Sequence, residues 1–310
     1  MRLIIVGNGF DLHHGLKTSF KDYCGFLKEQ YENVLGYIIN FRYFNGCCRD
    51  LSDDSDVFWT DVEGNLSFDY VQMFEESIAA YDSDFMEKDE SNDYRGYESV
   101  ENYPHEVRSM LPTNDIDDVD TSFTSDSLQN WVHLIPIDNV KQDPKMFLYD
   151  SDCFISFNYT RTLEVAYHIE PSKVLHIHGC VGKSLQFGNP IQTPAKIRAL
   201  LEQRFQNDIR LERVKDAFEK IQSFALKMSK DIDENIPNLC SFLEKKKEKI
   251  TEVVIMGHSY LKGDKKYYEK ILIPDYDSKK WTIYCHTKEE VIEADAFFKE
   301  YKIQGCTIVW

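Results

Sequence analysis

The chain has 310 residues, enough for one large domain or two modest ones around a substantial core. Its formal net charge of −17 argues against a surface that tracks nucleic-acid phosphates or lies on an anionic membrane, so neither kind of partner is expected. No window reaches the roughly 18 consecutive apolar residues of a membrane span. Met1 leads straight into an apolar run without a basic leader, and the expected location is cytoplasmic. The eight cysteines are irregularly spaced and form no C-x₂-C pair, which argues against a zinc ribbon. Cys153, Cys285 and Cys306 fall in strand-like runs and read as buried thiols, and the adjacent Cys47 and Cys48 are the one redox candidate.

The chain opens with a buried strand, Leu3 to Val6, that flips at once into Gly7-Asn8-Gly9-Phe10-Asp11. Two glycines let the backbone turn sharply and approach a ligand, and a helix after such a turn aims free N–H groups at a phosphate. The pattern stops at Gly-x-Gly, because Leu12 stands where the dinucleotide fingerprint has its third glycine. Thr18 or Ser19, with Asp22 behind it, caps a helix expected to run toward Tyr37. His13, His14 and Lys17 lie in the loop before that helix.

Residues 40–145 differ in character, with acidic clusters at Asp50–Asp56, Asp82–Asp93 and Asp115–Asp120. The expectation is an inserted, mainly helical region followed by a long loop over Ser83–Ser127. None of the clusters has the glycine and terminal glutamate of a calcium loop. Order returns with a strand at Cys153–Phe157, a polar turn Asn158-Tyr159-Thr160, a helix at Arg161–Ile169 and a strand and turn from Val174 to Gly179. Residues 194–249 read as a second helical insertion. Strands follow at Glu252–Ser259 and Trp281–His286, then a helix at Lys288–Lys302 and a last strand at Cys306–Trp310. Strands alternating with helices imply a doubly wound, mostly parallel α/β sheet of about six strands. Its core is expected from residues 1–39, 146–193 and 250–310.

In such a sheet ligands sit beyond the carboxyl ends of the strands. That rule puts Gly7–Asp11, Asn158-Tyr159, His176, His178 and Gly257-His258-Ser259 on one rim. Core strands have no need of polar residues just past their ends, so the rim reads as a binding site. His176 and His178 alternate by two, and with Asp11, His258 or Asp264 they could form a metal site serving a hydrolase. Alternatively His178 is a general base and Asn158 orients a ligand hydroxyl or water. Ser259 lacks the second glycine of a nucleophile elbow and suits a phosphate or ribose contact better than a nucleophile.

As an ordered set, Ile4-Ile-Val-Gly-Asn-Gly-Phe-Asp-Leu12, Gly15-Leu-Lys-Thr-Ser-Phe20, Ser156-Phe-Asn-Tyr-Thr160, Ile177-His-Gly179 and Met256-Gly-His-Ser259 with Asp264 resemble the AbiH family of bacterial abortive-infection proteins. At greater distance they resemble sirtuin-type, Rossmann-like NAD-binding domains. By that resemblance Gly7 and Gly9 would hold a pyrophosphate, and Asn8, Phe10, Asp11 and Tyr159 on the same rim are further candidate cofactor contacts, although Asn8 and Asp11 stand where the sirtuin motif has Ala and Ser. Asn158 would meet the nicotinamide ribose, His178 would be the catalytic base, and Gly257 and Ser259 would contact the adenosine half, with His258 between them a further candidate cofactor contact. The zinc-binding cysteine pairs of the deacylases are absent, which implies a relative that cleaves NAD itself. An abortive-infection role further implies an activity silent in healthy cells. It leaves a phage-derived trigger and a homo-oligomer as partners besides NAD or a related nucleotide, with the acidic insertion as a gate or assembly surface. A non-catalytic nucleotide- or ADP-ribose-sensing module is the other reading.

Overall fold

The computed structural model describes residues 1–32, 35, 122–190, 229–260 and 263–310. The three acidic clusters, the Cys47-Cys48 pair and residues 191–228 of the second insertion lie outside the described residues.

Six strands form one all-parallel sheet: β1 (Arg2–Val6), β2 (Cys153–Ser156), β3 (Val174–His176), β6 (Glu252–Met256), β7 (Lys280–Cys285) and β8 (Gly305–Val309). A separate two-stranded parallel ladder joins β4 (Asn189–Pro190) to β5 (Ser229–Lys230). The large sheet runs β3-β2-β1-β6-β7-β8. Taken in chain order this is the 3-2-1-4-5-6 sequence of doubly wound nucleotide-binding folds, as the alternation of strands and helices implies. Register is fixed at the centre, where Leu3 faces Cys153 on one side and Val253 on the other.

The central strands are apolar on both sides because both faces are covered. Leu3, Ile5, Ile155, Val253 and Ile255 enter one core, and Ile4, Val6, Phe154, Val254 and Met256 the other. The first core is roofed by α5 (Ile232–Glu244), α6 (residues 265–276) and α7 (Lys288–Tyr301), through Leu239, Leu272 and Phe297. The helical run α6 has three pieces, Lys265–Tyr267, a π turn at Tyr268–Leu272, and Ile273–Tyr276. The second core takes Phe10 from α1 (Asn8–His13) and Leu163 and Ala166 from α4 (Thr162–Ala166). Each fully buried Leu, Ile or Phe contributes about 1.5–3 kcal/mol.

Several local expectations shift. A short helix, α1, starts at Asn8, directly after β1, so His13 closes a helix and only residues 14–19 form the connection. The next helix, α2 (Phe20–Gln30), has the expected cap: Ser19 Oγ accepts from the Asp22 N–H and the Asp22 carboxylate accepts from the Ser19 N–H. It closes at Gln30, where Tyr31 leaves helical geometry, and most of the stretch from there to the expected end at Tyr37 lies outside the described residues. Helix α3 (Ser122–Leu134) begins inside the stretch read as loop and packs on α2, with Tyr23 hydrogen-bonded to Ser127 at 2.8 Å. Cys153 and Cys285 are buried as expected, but Cys306 is exposed, because β8 is an edge strand. No helix among the described residues is long and apolar enough to cross a membrane.

Candidate functional site

The crossovers to β2 and to β7 leave β1 and β6 in opposite directions, so the crevice between their carboxyl ends is where a ligand is expected to bind. The two glycine turns there interlock. Gly7 donates to the Met256 carbonyl at 3.1 Å and Gly9 to the Gly257 carbonyl at 2.8 Å. A Cβ on Gly7 would stand 2.6 Å from the Gly257 oxygen, and one on Gly9 2.7 Å from the Gly257 Cα. Gly257 itself has φ +62°, and its Cβ would stand 2.2 Å from the Phe10 nitrogen. The close approach these glycines permit is therefore to each other. The Phe10 N–H is also engaged, by the Gly7 carbonyl at 2.8 Å, so two of the amides that open α1 serve the chain itself. Phe10 is a core residue with no exposure, and Asn8 Nδ2 donates to the Thr18 carbonyl, pinning the loop between α1 and α2.

The remaining rim residues form two clusters. In the first, Asp11 is only 1% exposed and its Oδ2 accepts from Thr160 Oγ1, which also contacts Thr162 at 3.0 Å. Burial pushes the Asp11 carboxyl up to about 6, against the pull of the Thr160, Thr162 and Asn158 side chains and of His176. Asn158 is 6% exposed, and its backbone is fixed at both ends: Ser156 Oγ accepts from its N–H at 3.2 Å, and its carbonyl accepts from His176 Nδ1 at 3.3 Å. His176 Nε2 in turn lies 2.9 Å from Glu164 Oε1. Burial opposes charge on Glu164, yet its bond with His176 outweighs that and holds it below the ordinary carboxylate range. Asp11 Oδ1, Asn158 Oδ1 and Glu164 Oε2 are buried acceptors with no hydrogen-bond donor among the described residues. Each such atom costs about 1–3 kcal/mol.

The second cluster centres on Asp264, which is 4% exposed. Its Oδ1 lies 2.7 Å from Lys230 Nζ and 3.3 Å from His178 Nε2, and its Oδ2 3.3 Å from His258 Nε2. Burial opposes its charge, but His178 and Lys230 outweigh that cost and hold the carboxyl well below the usual range. Tyr268, kept protonated by burial, donates to His258 Nδ1 at 2.8 Å, which leaves the His258 Nε2 proton for Asp264. Phe157 lies over His258 at 3.9 Å between ring centres and meets His178 edge-on at 5.3 Å. His178 Nε2 lies toward the Asp264 carboxylate at 3.3 Å, so the charge of Asp264 acts on that ring.

The sequence-derived residues are therefore divided. Asp11 and Asn158 come together, and so do His178 and His258, but Asn158 and His178 belong to different clusters. Tyr159 binds the Gln186 carbonyl at 2.9 Å and secures the loop after β3, and Ser259 is exposed at the margin. The proposed His176 and His178 metal pair does not form, because β3 ends at His176 and the two rings turn to Glu164 and Asp264 respectively. Among the described residues no group of three or more His, Cys, Asp or Glu is placed to hold a metal ion. Sequence reasoning missed Lys230, Glu164 and Tyr268. No sequence signal marks Lys230, since its partner is 34 residues away and the fold alone joins them.

Fold and site together define a doubly wound α/β protein with two buried polar clusters past the carboxyl ends of its strands. The family model described as "Bacteriophage abortive infection AbiH" matches residues 3–285, and the chain belongs to that family. Membership implies a role in abortive infection by phage. Comparison with curated proteins and with solved structures gave no match.

Proposed function

We propose that this chain is an abortive-infection effector that binds NAD at the β1–β6 switch point and hydrolyses its nicotinamide–ribose bond. The observation that supports the reading is that, past the carboxyl ends of one sheet, a buried polar cluster around Asp11 and Asn158 is accompanied by a histidine, His178, that faces the buried carboxylate of Asp264. Breaking this bond passes through an oxocarbenium-like state, so the protein must chiefly position the sugar and deliver water. Asn158, with its backbone clamped by Ser156 and His176, suits orientation of the ribose or the attacking water. His178 suits the general base, since its Nε2 faces the Asp264 carboxylate, whose charge supports a proton on the ring. No protein nucleophile is required.

The test is incubation of the purified protein with NAD, following free nicotinamide by chromatography, with Asn158→Ala and His178→Ala alongside. Release by the wild type that both substitutions reduce at least about 100-fold is expected, the scale of an essential base. Unchanged release in His178→Ala sinks the assignment. The second reading, a module that binds NAD or ADP-ribose without cleaving it, draws on the burial of His178, which is 1% exposed. Calorimetric binding without product formation would favour it.

A further inference from the structure

We infer that Lys230 is an intramolecular pin that holds the β4–β5 ladder shut beside His178, so that the structure is the closed form of the site and Lys230 must leave Asp264 before a ligand reaches the histidine. The inference rests on the reading of His178 as the base and adds how access to it is governed.

Three observations carry it. Lys230 and His178 share one carboxylate oxygen, Asp264 Oδ1, with Lys230 Nζ at 2.7 Å and His178 Nε2 at 3.3 Å, and each of the two residues is 1% exposed. A base so deeply covered does not meet a ligand until some neighbouring element parts, and the elements that part first are those with the fewest attachments. Second, β4 and β5 pair over two residues each and, among the described residues, join no other strand. A ladder that short does not hold itself, so side chains must fasten it. Lys230 fastens β5 to Asp264. The approach to β4 is fastened through Gln186, whose N–H donates to the His178 carbonyl at 2.9 Å and whose Oε1 accepts from Asn235 Nδ2, near the start of α5, at 2.5 Å. Asn235 Nδ2 also donates to the Tyr267 hydroxyl at 3.1 Å, in the first turn of α6. Third, a buried ammonium and carboxylate repay little more than their own desolvation, and an apolar side chain would fill such a place at least as well. A lysine there instead makes closure depend on one charged contact, while α5 behind it stays seated in the core through Ile232 and Leu239.

The experiment is carbethoxylation by diethyl pyrocarbonate, read histidine by histidine by peptide mass spectrometry, on the wild type, Lys230→Met and Asn235→Ala, with circular dichroism establishing that each is folded. His178 should react slowly in the wild type and at least about tenfold faster in Lys230→Met, the scale of one hydrogen bond to a charged group, with a smaller rise in Asn235→Ala. His176, buried in the other cluster, and the exposed His168 should keep their rates. Unchanged labelling of His178 in the folded variants overturns the inference. So does a rise at His176 equal to that at His178, which would mean that the ion pair only stabilises the fold as a whole. If Lys230→Met does not fold, Asn235→Ala, which leaves the buried charges in place, decides by the same comparison. Nicotinamide release from NAD is followed in parallel and should rise with the labelling of His178. Faster labelling without release from any variant preserves the pin and removes the hydrolase, whereas release by the wild type with His178 labelling unchanged in the variants does the reverse.

Discussion

At the scale of single residues, two buried aspartates work in opposite senses. Asp11 is raised from an ordinary 3.8 to about 6 by burial, so the folded state holds its proton more tightly than the unfolded chain does. Its contribution to stability is present below pH 3.8 and is lost as pH rises through about 6. A shift of this size corresponds to about 3 kcal/mol. Asp11→Asn removes the titration, and its stability relative to wild type should therefore rise by about that amount between about pH 4 and pH 7, measured by urea unfolding. A constant gap across that range would mean the carboxyl is not perturbed. Asp264 has the reverse sign: its depressed carboxyl contributes stability at neutral pH that is lost as pH falls below the unfolded value. Asp264→Ala leaves Lys230 buried beside two imidazoles without their carboxylate, and should cost about 3 kcal/mol or more at neutral pH in the same assay.

At the scale of elements, the interlocked turns after β1 and β6 are the mechanical centre of the site. Gly257→Ala must place a Cβ 2.2 Å from the Phe10 nitrogen, on a backbone at φ +62°. The atoms it meets are backbone, not the end of a flexible side chain, so the turns must separate. The expected loss is about 3 kcal/mol or more, read from the thermal midpoint, against about 1 kcal/mol for removing the α2 cap with Ser19→Ala. Equal losses would show that the turns yield freely. These elements also mark what the sequence could reveal. Uninterrupted apolar runs such as Leu3 to Val6 announce buried parallel strands, and the Ser19 and Asp22 pair announces a helix start. The glycine turn announces close approach without saying to what: Gly7 and Gly9 meet Gly257, which follows the same end of a strand far away in the sequence. Pairings such as Lys230 with Asp264 or Glu164 with His176 arise only once strand order is set, and no local pattern encodes strand order.

At the scale of the whole molecule, the polarity of the sheet separates the two ends of every strand. The carboxyl ends gather Asp11, Asn158, His178 and Asp264. The amino ends are closed by a structural pair, Arg2 and Asp152, in which Asp152 also accepts from the Arg2 and Tyr149 N–H groups. Because all six strands run the same way, a ligand that uses the switch point must act at one end only. Hydrogen exchange followed by mass spectrometry can resolve this. With saturating NAD, the segments containing residues 7–12, 156–160 and 257–259 should exchange more slowly, while those around Arg2 and residues 147–152 keep their rates. Protection confined to the amino ends would place the ligand on the wrong side of the sheet and remove both clusters from consideration. Protection at the carboxyl ends in wild type that Asp11→Ala weakens most at residues 156–160 would tie the ligand to the first cluster. His178→Ala, which leaves that cluster intact, should keep the protection while nicotinamide release falls.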